Sequence, residues 1–245
     1  GLAVKRMDGA AFYEWMAPFF SPSPMNAKDG YEWVRSVKKF PTERRSKQYD
    51  LGQAVFSEEP ASDDQGRFWF CNKPTRFLSI APLESEPHVG VITAEIKNAS
   101  GKEVSLWDEL PRGSMFAMTV VIEPQTNIKT HLNDIISAGG HATRESTLAT
   151  DQAEDALSYM AHGCRVYRVF PGIYIRAENE AALDDATLNT MTVLSQSGLS
   201  VIPPKYDAEP LNAFLRSIPM GYSYNYDRGR LKRAWLCSAD DISAL

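Results

Sequence analysis

From Ser114 to Ile202 strand-like and helix-like spacing alternate, with a turn residue at every change, and that alternation restricts the chain to a mixed α+β fold. The run Met115 to Ile122 (MFAMTVVI) is apolar and rich in β-branched residues. It closes at Glu123-Pro124, where proline fixes φ and removes a backbone donor. A helix capped by Thr126 is predicted next, with Ile128, Leu132, Ile135 and Ile136 on one face, interrupted at Gly139-Gly140. Helical spacing resumes through Leu148, Ala153, Ala156, Leu157 and Met160, and Gly163 stands where a left-handed C-cap belongs. Arg165 to Phe170 and Ile173 to Ala177 read as two strands joined by a hairpin at Pro171-Gly172, with a bulge in one long strand as the alternative. Asn179 caps a last helix through Leu183, Ala186, Met191, Val193 and Leu194. Glu180, Asp184 and Asp185 lie near its start, where the dipole favours acids. Gly198 ends it, and Leu199 to Ile202 is the expected closing strand. Two helices on one face of four strands make a ferredoxin-like β-α-β-β-α-β unit, a topology that hosts many functions and selects none.

The half before this unit is strand-rich, with strands expected at Ala54 to Phe56, Arg67 to Cys71, Arg76 to Ile80 and Val89 to Ile96. Asn72-Lys73-Pro74-Thr75 and Asn98-Ala99-Ser100-Gly101 are the expected hairpin connections. The polar run Glu58 to Gly66 separates an N-terminal arm, residues 1–65, from an α+β domain over 66–235, and 236–245 reads as the start of a linker. Within the arm, Asp8 caps a short helix whose Phe12, Trp15, Met16 and Phe19 form an aromatic face. That face suits docking to a membrane or a partner, or packing on the chain's own domain. The basic excess over residues 28–49 reads as the solvated face of a helix rather than a phosphate site.

No window approaches the roughly 18 to 20 continuous apolar residues of a membrane-spanning helix, and no signal-peptide core is present. Cys71, Cys164 and Cys237 lie far apart without C-x-x-C spacing, which suits a reducing compartment and neither a disulfide framework nor a zinc site. His88, His131, His141 and His162 fall in no ligand spacing, so no metal site is expected. The phosphate-cradling G-x-x-x-x-G-K-[ST] is absent: Gly101-Lys102 has Ile96 in place of the first glycine and Glu103 in place of the hydroxyl. The acid-ended runs Val120 to Glu123 and Leu106 to Glu109 then read as a strand terminus and a turn. No G-x-S-x-G is present, Glu154-Asp155 and Asp184-Asp185 read as solvated helix surface, and a scattered set such as His131, Glu145 and Arg165 ranks last among sites. No catalytic residue, cofactor or small-molecule substrate is expected of this chain.

One stretch invites a binding function. Tyr222, Tyr224 and Tyr226 alternate and are followed by Arg228, Arg230, Lys232 and Arg233, a mixture that could stack bases and hold phosphates of single-stranded nucleic acid. An edge strand with a basic linker explains the same residues. The net charge of -5 gives no global nucleic-acid footprint.

The order of segments carries a resemblance. SMFAMTVVIEP, the helical excursion after it, RVYRVFPGIYIRAENEAAL, SGLSVIPP, EPLNAFLRSIPMGYSYNYD and SADDISAL together resemble the N-terminal domain of the conjugative-transfer ATPases, the TraC, TrbE and CagE-like motors of type IV secretion. The resemblance is strongest from Ser114 to Leu245. It implies a non-catalytic docking and assembly domain at the cytoplasmic face of the bacterial inner membrane. The implied partners are inner-membrane secretion components and neighbouring subunits of a hexamer, with DNA a further candidate. ATP and magnesium are implied only for a motor domain beyond this chain, and the family's Walker residues have no counterpart here. Gly1 at the start and SADDISAL at the end fit a piece excised from a longer protein.

Overall fold

The computed structural model describes residues 16, 19–20, 59–83, 90–92, 94–97, 101, 103–139, 143–219, 221–225, 227 and 234–244. They belong to two compact units, Gly1–Arg76 with Arg176–Ala186, and Phe77–Ile175 with Thr187–Leu245. One division of the chain between these units follows Arg76. The fold is mixed α+β, as expected, and its main sheet is antiparallel. The strands are β1 (Ala61–Ser62), β2 (Phe68–Phe70), β3 (Lys73–Ser79), β6 (Met115–Val121), β7 (Val166–Arg176) and β8 (Trp235–Ser238). Their order is β1-β2-β3-β7-β6, with β8 also pairing β7. The expected strand Ala54 to Phe56 lies outside the described residues.

In the first unit, Asp63 Oδ1 accepts the backbone N–H groups of Gln65 (3.0 Å) and Arg67 (2.8 Å) and so closes the turn between β1 and β2. The β2–β3 turn is tighter than expected. Cys71 and Asn72 take φ of 49° and 58°, and Phe70 pairs Lys73 directly, so Lys73, Pro74 and Thr75 belong to the strand. Two successive left-handed residues match the twist of a two-residue hairpin, and Asn tolerates that conformation well.

In the second unit, β7 runs unbroken through Pro171-Gly172, where a hairpin was expected. Proline is tolerated there because its missing donor faces a gap in the neighbouring line of strands. β8 pairs only Val166 to Val169, and β3 has ended by Ile80, whose N–H reaches the Pro171 carbonyl at 3.1 Å. A Cβ on Gly172 would lie 2.1 Å from the Phe77 ring, so the close approach of that ring requires glycine. Leu199 to Ile202 is not a strand: only Val201 bridges Ile80, held by Ala81 N–H to Ser200 O at 2.8 Å and Ile202 N–H to Ser79 O at 2.9 Å.

The expected ferredoxin-like unit is therefore replaced by β6, a pair of helices, β7 and one more helix. The pair is α2 (Gln125–Ala138) and α3 (Arg144–Ala161), which share a core of Ile128, Leu132, Ala153, Met160 and Val166. Thr126 lies inside α2 and does not cap it; the cap position is Pro124, without a side-chain bond. Thr143 caps α3 through Ser146 N–H at 3.2 Å, and Gly163 takes the expected left-handed φ of 91° after it. Asn179 caps α4 (Glu180–Gln196) as expected, accepting Ala182 N–H at 2.9 Å.

A small hairpin, β4 (Glu95–Lys97) with β5 (Glu103–Ser105), falls around the expected turn at residues 98–101, though β4 is much shorter than the strand expected from Val89. Leu106 to Glu109, expected as a turn, is α1 (Leu106–Glu109), nucleated by reciprocal bonds between Ser105 and Asp108. After α5 (Pro210–Ser217), the last residues depart from the linker expectation. β8 pairs β7, α6 (Ala239–Ala244) follows, and the Ala244 carbonyl accepts Gly90 N–H at 2.7 Å. Among the described residues, no helix is long and apolar enough to cross a membrane.

Candidate functional site

The second unit carries a cleft of about 710 Å³ lined by Leu132 and Ile135 of α2, Ala153 and Ala156 of α3, and Leu236 of β8. The helical period puts Leu132 and Ile135 on one stripe of α2 and Ala153 and Ala156 on one stripe of α3, and β8 supplies Trp235 to the same lining. The polar groups of the lining are His131, Gln152, Asp155, Arg168, Asp241 and the Trp235 indole. Asp241 is committed to Ser238, accepting its hydroxyl at 2.6 Å. The Trp235 Nε1–H is buried with no acceptor among the described residues.

Arg168 joins the cleft to a buried carboxylate. Its Nε donates to Glu123 Oε1 at 2.9 Å, the Glu123 side chain is 1% exposed, and the Tyr224 hydroxyl donates to the other oxygen at 3.1 Å. Each of the two buried oxygens thus has a donor, as a buried polar group requires. The described part of the aromatic stretch is knit in at a second point. The Asp227 carboxylate, fully buried, accepts Ser223 N–H at 2.5 Å and lies 3.0 Å from Arg216 Nε, which points its own hydrogen at Asn212. Arg216 also donates to the Gly221 carbonyl at 2.8 Å, so α5 holds the start of the stretch. Burial, and then the charges of Asp227 and Glu123, push the Tyr222 phenol above its usual range.

The first unit holds a charge cluster. Arg67 reaches Asp184 at 2.8 Å and Glu180 at 3.2 Å, and Arg76 shares Asp184 at 3.1 Å. Burial pulls the Arg67 guanidinium down, but its hydrogen bond to Asp184 and the three surrounding acids outweigh that and leave it above its usual value. Asp184, expected as solvated surface, is thus the hub of two ion pairs, while Asp185, Glu154 and Asp155 are exposed. Arg176 lies 5.2 Å over the Phe19 ring and donates to the Phe19 carbonyl; burial lowers it to about 10.

Of the proposed docking face, Met16 is buried and Phe19 is half-buried, stacked edge-on with Phe20 at 4.8 Å. Phe12 and Trp15 lie outside the described residues, as do Tyr226, Arg228, Arg230, Lys232 and Arg233. Tyr222 and Tyr224 are half-buried. His131 lines the cleft and Arg165 is exposed at the start of β7, while the Glu145 side chain is outside those described. Among the described residues, no group of three or more His, Cys, Asp or Glu side chains could hold a metal. Sequence patterns passed over Glu123, Arg168, Arg216 and Asp227. The only signal was a charged residue inside apolar surroundings, RVYRVF for Arg168 and the strand end VVIEP for Glu123.

The α5 helix has two faces. Ala213, Phe214 and Ser217 are buried, and Leu211 and Leu215, one turn apart, are each 49% exposed, with Tyr206 just before them at 72%.

A family profile described as TraC protein matches residues 1–222 of the chain. No curated protein matches it.

Proposed function

The chain belongs to the TraC family of conjugative transfer and type IV secretion, and on that premise we propose that it is the docking and assembly domain of a secretion ATPase. In this role it links the motor to inner-membrane secretion components and to neighbouring subunits, at the cytoplasmic face of the membrane. ATP and magnesium belong to the motor domain of the parent protein. The observation that carries the proposal is the family match over residues 1–222. The absence of a P-loop from all 245 residues supports a non-catalytic role. The exposed Leu211, Leu215 and Tyr206, and the cleft lined by α2, α3 and β8, are surfaces of the kind a partner covers.

The test is competition in living donor cells. Expressed alongside an intact transfer system, the isolated chain occupies the motor's docking positions and lowers the mating frequency at least about tenfold. Leu211→Glu with Leu215→Glu, two exposed positions, leaves the chain folded and weakens that inhibition. Unchanged mating at high expression of the folded chain, or hydrolysis of ATP by the purified chain, would overturn the proposal.

A further inference from the structure

β6 is the terminal strand of its sheet. β7 pairs it on one side, and no group among the described residues pairs its backbone on the other. The parity of the ladder shows which groups are left over. Pro171 turns its carbonyl toward Ile80 and away from β6, so Met118, opposite Pro171, forms a non-hydrogen-bonded pair and turns its own N–H and C=O outward. The period of two assigns the same direction to Phe116 and Val120. Val166, of the other parity, confirms it: its N–H and C=O face the β6 side, where the Gln125 side chain bonds both, at 3.1 and 2.9 Å.

An open edge is ordinary; an unprotected one is not. Edge strands avoid one another by being short, bulged, marked with lysine or proline, or covered by a helix or loop; α5 touches β6, but among the described residues it pairs none of the outward backbone groups. β1, at the far end of the strand order, is two residues long. β6 is seven residues of MFAMTVV, paired without a bulge, and contains no charge and no proline. Six of the seven are only half-buried, and Ile122, directly after the strand, is 87% exposed.

We propose that the outer edge of β6 pairs antiparallel with β6 of a second copy of this chain, about a twofold axis at Met118. In that register Met118 lies beside Met118 of the second copy, Phe116 beside Val120 and Ala117 beside Thr119. The outward N–H and C=O groups of Phe116, Met118 and Val120 all find partners. An aromatic beside a β-branched residue is a favourable cross-strand pair, and no like charges meet. A twofold interface requires self-complementarity, and an uncharged run whose apolar residues fall symmetrically about its middle has that property. The pairing supplies one contact between neighbouring subunits, which the proposed role includes, and it follows from β6 alone.

The experiment is sedimentation equilibrium of the purified chain, with amide hydrogen exchange at Phe116, Met118 and Val120. A concentration-dependent dimer is expected, with those three amides protected as it forms. Met118→Pro removes an outward donor and no bond to β7, and should give a monomer with unchanged circular dichroism. Met118→Lys, which keeps every backbone bond but sets two like charges together at the axis, should weaken the dimer about tenfold or more. A chain that stays monomeric at the highest concentration reached overturns the proposal, even where an added strand-forming peptide protects the same amides. A dimer that Met118→Lys leaves intact overturns it too.

Discussion

Asp227 is buried completely while Arg216, 3.0 Å away, keeps a quarter of its side chain in water. That asymmetry sets the cost of separating them. Without Asp227 the guanidinium retains solvent, Asn212 and the Gly221 carbonyl; without Arg216 a carboxylate stays buried beside a single backbone donor. Arg216→Met should therefore cost about 3 kcal/mol, and Asp227→Asn distinctly less, by urea unfolding. Equal costs would show that the pair's solvent exposure does not decide its energetics. Cys237 tests a second buried group. Burial, with the Asp241 charge and hydrogen bond behind it, pushes its thiol up to about 12 from an ordinary 9.0. A folded thiol that keeps its proton while the unfolded one loses it contributes stability below pH 9.0 that disappears as the pH rises to about 12. Tyr159, held up to about 12 by its bond to Asp240, acts in the same direction. Stability should fall between these limits, and less steeply in Cys237→Ala with Tyr159→Phe; identical slopes would contradict the burial of the thiol. Neither group was legible in the sequence, because no local pattern reports the burial of a lone charged or thiol side chain.

Elements were easier to foresee than their connections. Asn179 and Gly163 sit at α4 and α3 as their chemistry demands, since a cap acts within one turn of chain. Pro171-Gly172 misled because turn residues report local backbone freedom, whereas here glycine makes room for the Phe77 ring and proline occupies a gap between β3 and β8. Gly172→Ala should therefore destabilise by about 1–3 kcal/mol through overpacking, read from the thermal midpoint. A change near zero would mean that the ring yields freely, and a hairpin-type glycine would then explain the position as well. Leu199 to Ile202 failed as a strand for a related reason. Its residues suit one, but the pairing with the end of β3 stays an isolated bridge of Val201 to Ile80.

At the scale of the molecule, family and fold class were both readable, because segment order and mixed periodicity are spread over most of the chain and survive local errors. The division after Arg76 was not, since it cuts through β3, β7 and α4 and leaves no compositional trace. The last residues were misjudged likewise: SADDISAL is polar enough for a linker, yet Ser238 caps α6 and Ala244 holds Gly90 and Val91. The carboxylate of Glu123, which holds Tyr224, was not legible, because its partners Arg168 and Tyr224 lie 45 and 101 positions away. What a docking domain must do is go where its partners are. The measurement to make is therefore the distribution of the tagged 245-residue chain between soluble and inner-membrane fractions of cells with and without the transfer system. A docking domain moves to the membrane only in cells that express the system. The same distribution in both would contradict that role.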